Sequence, residues 1–266
     1  MRGSTIAAVG LALLTLAAGT AEGQGRRGPR ARPAEIEEQL ASADRDVVQT
    51  AIETIGLSGN PRFVPLLAAR IMKGLPPELL ETAVDTLTVL GRPEAGDVLF
   101  VLASHRRAEI RARAVAGIIS CRPEGASSAL QSALSDLDPH VRSAAAVGLG
   151  QIEAAGATDA LFHALDRNIL EAATSLGQLV AAGEVARVLG YLGQVPLDVV
   201  TPALSEIIAR ENMEQETKLE VLGRIAELAT PDARQFLVDM AESVPNDRRH
   251  RALREAATAA AERIVQ

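Results

Sequence analysis

Asp138, His140 and Arg142 fall within five residues of the stretch DPHVRSAAAVGLGQI (138–152). A carboxylate, an imidazole and a guanidinium that close together could shuttle a proton or grip an anion. Cys121 invites a similar question. It stands in SCRPEG, next to Arg122, with His105 at the other end of the same helical stretch. A nucleophilic cysteine needs a histidine partner and an electropositive pocket. His105, Arg106, Arg107, Arg111, Arg113 and Arg122 gather around one segment, and Arg142 follows one repeat later. A second basic group, Arg248, Arg249, Arg251 and Arg254, opens the last helical stretch, where cations oppose the helix dipole.

Set against the usual catalytic signatures, these residues do not form one. The chain has neither the G-x-S-x-G of a hydrolase elbow nor the H-E-x-x-H of a zinc protease. Its four histidines, His105, His140, His163 and His250, are never three or four residues apart, the spacing a helical metal site uses. GLGQIEAAG (148–156) is rich in glycine but follows no strand, so its small residues read as close helix packing rather than a phosphate loop. Cys121 reads as a small, partly buried residue. As the single cysteine it can form no internal disulfide. No catalytic residue, metal ligand or cofactor is assigned.

Composition narrows the scaffold. Of 266 residues 47% are hydrophobic, yet there is no Trp, one Tyr and four Phe. A core of Leu, Val, Ile and Ala favours closely packed helices over sheets. The first 21 residues have one Arg, an apolar run from Ile6 to about Ala18 and then small residues, the form of a secretory signal peptide. That run is short for a membrane span of roughly 20 residues, so a retained anchor is the lesser alternative. Residues 22–33, EGQGRRGPRARP, read as a disordered linker. The remainder, 34–266, has 22 basic against 33 acidic residues, a net charge near −11. So acidic a domain is a poor partner for nucleic acid, which demands surplus Lys and Arg. The basic groups carry no interleaved aromatics on which bases could stack.

The most informative feature is self-similarity. Shifting residues 105–120 by 31 lays Ile110 on Val141, Arg111 on Arg142, Ala114 on Ala145 and Ile118 on Leu149. Leu79, Ala83 and Leu87 precede them, and Val47, Ala51 and Ile55 stand 32 residues earlier still. Large, Ala, large at i, i+4 and i+8 puts all three on one helix face, with Ala admitting a close neighbour. A second set, Leu67, Leu99, Leu130 and Leu161, recurs at 31 or 32 residues. Gly59, Gly91, Gly156 and Gly183, with Pro61, Pro93 and Pro123, punctuate the turns. The pattern predicts helix pairs near 34–59, 61–91, 94–121, 125–154, 156–182 and 184–211. Three helices follow, near 214–229, 231–243 and 247–264. The odd helix implies a break of register after Gly183, and Pro202 is placed early in its helix, where a missing N–H is tolerated. Asp138 is expected as an N-cap with Pro139 in the first helical position.

Asp138, Val141, Arg142, Ala145, Leu149, Gly150 and Ile152, echoed by Ile110, Arg111, Ala114 and Ile118, resemble the HEAT repeat family, especially the bacterial subgroup similar to phycobilisome-lyase HEAT-like repeats. The likeness is good over 34–182 and looser over 184–266. It implies an all-α, right-handed α-solenoid of stacked antiparallel helix pairs, about seven repeats long. Some HEAT-repeat hydroxylases hold iron with repeated His-Glu pairs. Here Arg, Val, Ala and Arg follow the four histidines, which departs from that pattern. The resemblance further implies that the second helices line a concave surface that receives a protein or peptide. Arg111, Arg142, His140 and Glu171, with Arg107 and Arg113, are the candidate contact residues. An accessory role similar to bilin lyases and a DNA-binding role are the weaker alternatives. With its leader and the Ala- and Arg-rich usage of a bacterial chain, the protein is expected in the periplasm or secreted, touching membrane only through an uncleaved leader.

Overall fold

The computed structural model describes residues 32–264. The leader and nearly all of the linker thus lie outside the described residues. Six helix pairs follow one another. They are α1 (Pro33–Ala41) with α2 (Arg45–Ser58), α3 (Val64–Lys73) with α4 (Pro77–Leu90), and α5 (Gly96–Leu102) with α6 (Ala108–Cys121). Next come α7 (Ala126–Ala133) with α8 (Pro139–Gln151), α9 (Thr158–Asp166) with α10 (Ala172–Leu179), and α11 (Val185–Leu189) with α12 (Leu197–Ala209). Three further helices end the array: α13 (Gln215–Ala226), α14 (Pro231–Ser243) and α15 (Arg251–Arg263). No β-strand occurs among the described residues.

The repeated apolar positions make the core. Ala51, Ala83, Ala114 and Ala145 are fully buried at the centres of the second helices, and Leu67, Leu99, Leu130 and Leu161 are fully buried in the first helices. The second helices α2, α4, α6, α8, α10 and α12 each pack along the next, whereas neighbouring first helices touch sparsely. The second helices are thus the more closely packed row of the stack, the one the repeat resemblance makes the inner row. Glycine sets the closest approaches. A Cβ at Gly177 would lie 2.4 Å from the Ala203 carbonyl, and one at Gly148 would lie 2.4 Å from Ile119 Cδ1. The glycines of GLGQ therefore serve packing.

Four local readings need correction. Val47 is 36% exposed and Val48, at 2%, takes its place in the core, because no preceding described pair covers that side of α2. Gly59 and Gly91 end their helices at positive φ as expected, but Gly156 and Gly183 lie in short 3-10 turns without it. After α8 the left-handed residue is Glu153 instead. Pro202 is not early in its helix but inside α12, beyond the first turn. Its missing N–H leaves the Asp198 carbonyl without its usual donor, and the Thr201 hydroxyl donates to that carbonyl at 3.2 Å. Cys121 is buried rather than partly buried.

At the α9–α11 junction, Tyr191 stacks on Phe162 with centroids 6.3 Å apart, and Arg187 lies 3.8 Å over the Phe162 ring. The Tyr191 hydroxyl donates to Asp166 at 2.6 Å. Burial, then this bond to a carboxylate, push the phenol up to about 12.

Candidate functional site

The loop between α7 and α8 shows what the repeated charges do. The Asp138 side chain accepts from the His140 N–H at 2.8 Å with Pro139 opening the helix, the expected cap. Asp136 accepts from the Asp138 N–H at 2.8 Å and takes both arms of Arg111, at 2.7 Å each. The two side chains are only 14% and 10% exposed. Bonded to Arg111, the Asp136 carboxyl is held below the usual carboxylate range, and the guanidinium is held above its own. Arg111 also donates to the His105 carbonyl at 2.9 Å, and Arg142 donates to the equivalent Asp136 carbonyl at 2.8 Å. His105 repeats the Asp136 role, its Nδ1 accepting from the Arg107 N–H at 3.1 Å. Each arginine ties down the loop that precedes its own helix, and Arg111 adds a forked bond to the next repeat.

The remaining basic candidates are also internally paired. Arg107 meets Glu81 at 3.0 Å and Glu109 at 3.6 Å. Arg113 meets Glu81 at 3.2 Å and bonds to Asp85. Arg107 and Arg113 are thus met by the acids Glu81 and Asp85 of α4, and these four side chains form an inter-repeat network. His140 and Glu171 are exposed at the starts of α8 and α10. Cys121 closes α6, its thiol directed at the Leu87 carbonyl 3.5 Å away, and burial pushes the thiol up. His105 sits at the opposite end of a 14-residue helix, about 20 Å away, too far to activate it. Among the described residues no three His, Cys, Asp or Glu gather as a metal site would require, and no helix is long and apolar enough to cross a membrane.

The inner row keeps a second, quieter surface that residue types alone did not reveal. A groove of about 440 Å³ runs between the later turns of α6 and α8, lined by Ala116, Ile119, Ser120, Arg122 and Gln151. On the other side of Gln151 lies a second groove of about 630 Å³ with Gln178, Leu179, Arg210 and Asn212 on its walls. Arg122 is fixed by donating to the Gln151 carbonyl at 2.7 Å, and Arg210 by donating to the Val180 carbonyl at 2.6 Å. The side-chain amides of Gln151 and Gln178 make no hydrogen bond to a described residue, and each offers both donors and an acceptor. Val147, on the exposed side of α8, adds an apolar contact nearby. The only sequence trace of this surface is the alignment of Gln151 with Gln178, 27 residues apart.

Stacked helix pairs with a tight inner row and sparsely touching outer helices define an all-α repeat scaffold. Within it, residues 96–177 match the family model of HEAT repeats. No curated protein matches the chain. Among solved structures, a homology model of the full-length AP-3 complex in an intermediate open conformation is 16% identical, with a TM-score of 0.50 over 88% of this chain and 50% of that one. This chain thus spans about half of that neighbour. The complex of CpcE and CpcF of phycocyanin lyase from Nostoc sp. PCC7120 is 18% identical, with a TM-score of 0.47 over 93% of this chain and 97% of that one. A designed armadillo repeat protein is 17% identical, with a TM-score of 0.40 over 87% and 99% of the respective chains. At these identities the likeness speaks of fold alone.

Proposed function

We propose that this chain is an exported, non-catalytic repeat scaffold that binds a protein or peptide segment along the inner row of its helix stack. The observation carrying this reading is the pair of shallow grooves that share Gln151, one bordered by Ala116 and the other by Gln178. Their amides can meet the N–H and C=O groups of an extended backbone, and their small side chains leave room for that backbone to approach. Repeat stacks offer such surfaces because neighbouring units present equivalent positions at a fixed step. His140 and Glu171 stand exposed at the opposite, N-terminal ends of α8 and α10, where they can add selective contacts beyond the grooves, while Arg122 and Arg210 shape the grooves themselves. Export rests on the leader-like first 21 residues.

The test is proximity labelling by the full chain in the cell envelope, comparing wild type with a Val147→Arg, Gln151→Glu double variant. Both positions are exposed, so the fold is retained. A defined partner labelled by the wild type and lost from the variant supports the reading. An unchanged label set, or a chain that stays in the cytoplasm, refutes it.

A further inference from the structure

The break of register after α12 opens a cleft among α12, α13, α14 and α15. It encloses about 580 Å³, well inside the range of roughly 300–1,000 Å³ for small-molecule sites. Its floor is apolar and flexible: Ile208, Met213, Met240, Val244 and Leu253, with no Phe or Tyr in the lining. Its charged lining is Lys218 and Arg249 against Glu211, with the His250 imidazole beside them.

Three independent features make this a place for an anion. First, Lys218 is half-buried and has no ion pair among the described residues. Burial, followed by the nearby Arg249 and Arg210, pushes its ammonium below the usual range, against the opposing pull of Glu211. Second, α15 begins at the cleft, and the partial positive charge of its N-terminus adds to the same field. Its first turn contains no acid, while Arg248, Arg249, His250 and Arg251 crowd its start. Third, the acids at hand only partly balance these cations. Asp247 meets the backbone N–H and the ring of His250 at 2.9 Å, Glu255 pairs with Arg251 at 2.7 Å, and Glu211 reaches Arg249 only at 3.8 Å across an exposed rim, which leaves Lys218 without a carboxylate partner among the described residues. Glu211 at the rim disfavours a dianion, and the methionines of the floor adapt to a flexible chain better than to a rigid ring.

We propose that this cleft binds a small amphipathic monoanion, a carboxylate on an unbranched aliphatic tail. Lys218 and Arg249 hold the head, and Met213, Met240, Val244 and Leu253 cover the tail. The site is separate from the inner-row groove, so either can fail without the other.

Calorimetric titration of the full chain with decanoate, with decanol and with decyltrimethylammonium tests this. Decanoate is expected to bind saturably at one site, and the neutral and cationic probes at least about tenfold more weakly. Lys218→Gln and Arg249→Gln are each expected to weaken decanoate about tenfold while leaving decanol unchanged. Ala209→Trp, exposed at the cleft wall, is expected to weaken both probes. The proposal is overturned if decanoate shows no saturable binding up to roughly 1 mM. It is equally overturned if decanol binds as well as decanoate, or if the two charge-removing variants leave decanoate binding intact.

Discussion

At the level of single residues, charge here is used mostly inward. Arg111 and Asp136 close a forked bond between consecutive repeats, and that bond carries a pH signature. Because Arg111 lowers the Asp136 pKa in the folded protein, the pair stabilises the fold above the unfolded carboxylate value of about 4. That contribution fades as pH falls through the lower folded value. Asp136→Asn is therefore expected to cost about 2 kcal/mol at pH 7. Urea unfolding from pH 7 down to 3 should show the gap to wild type constant to about pH 5 and shrinking below pH 4. A gap that widens on acidification would contradict the assignment. Charge reversal at Arg111 consequently tests folding rather than partner binding. Cys121, with its thiol buried and its pKa raised, should resist alkylation at pH 8 in the folded chain and react once urea unfolds it. Rapid labelling of the native protein would contradict that placement.

Between helices, the spacing of small residues decides how near the inner row can pack. Gly177→Ala places a methyl against the Ala203 backbone and is expected to cost about 1–3 kcal/mol. Gly223→Ala, in open space on α13, is expected to stabilise by about 0.5–1 kcal/mol. Thermal unfolding of the two variants should move in opposite directions. The contrast also bears on what the chain makes legible. The 31-residue step located the core alanines and leucines, since burial of a helix face imposes periodicity on residue type. It also exposed Arg142 as an architectural position rather than part of a centre. Val47 and Pro202 read less well because each depends on a neighbour: the absence of a described preceding pair in one case, a rescuing hydroxyl at Thr201 in the other. The inner groove was harder still. Its residues are ordinary small side chains and amides, and only the stacking of α6, α8 and α10 lines them up.

For the whole array, cohesion is nearest-neighbour. The link from the regular pairs to the last three helices runs through α12, whose contacts with α13 and α14 are fewer than those with α10, and α11 has only five residues. The last three helices should therefore open before the middle of the stack. Hydrogen exchange under mild denaturant is expected to show α13–α15 opening at least about 1.5 kcal/mol below α4–α10. One shared protection level across both regions would show instead that the array unfolds as a unit.

The chain has no tryptophan and a single tyrosine, and that tyrosine sits at the α9–α11 junction with its hydroxyl on Asp166. Intrinsic emission from this protein is therefore a local gauge. Excited near 280 nm, it reports on one seam between consecutive pairs and is silent about the seams on either side. An optical melting curve and a calorimetric one need not coincide, and any lag between them would measure how independently that seam lets go.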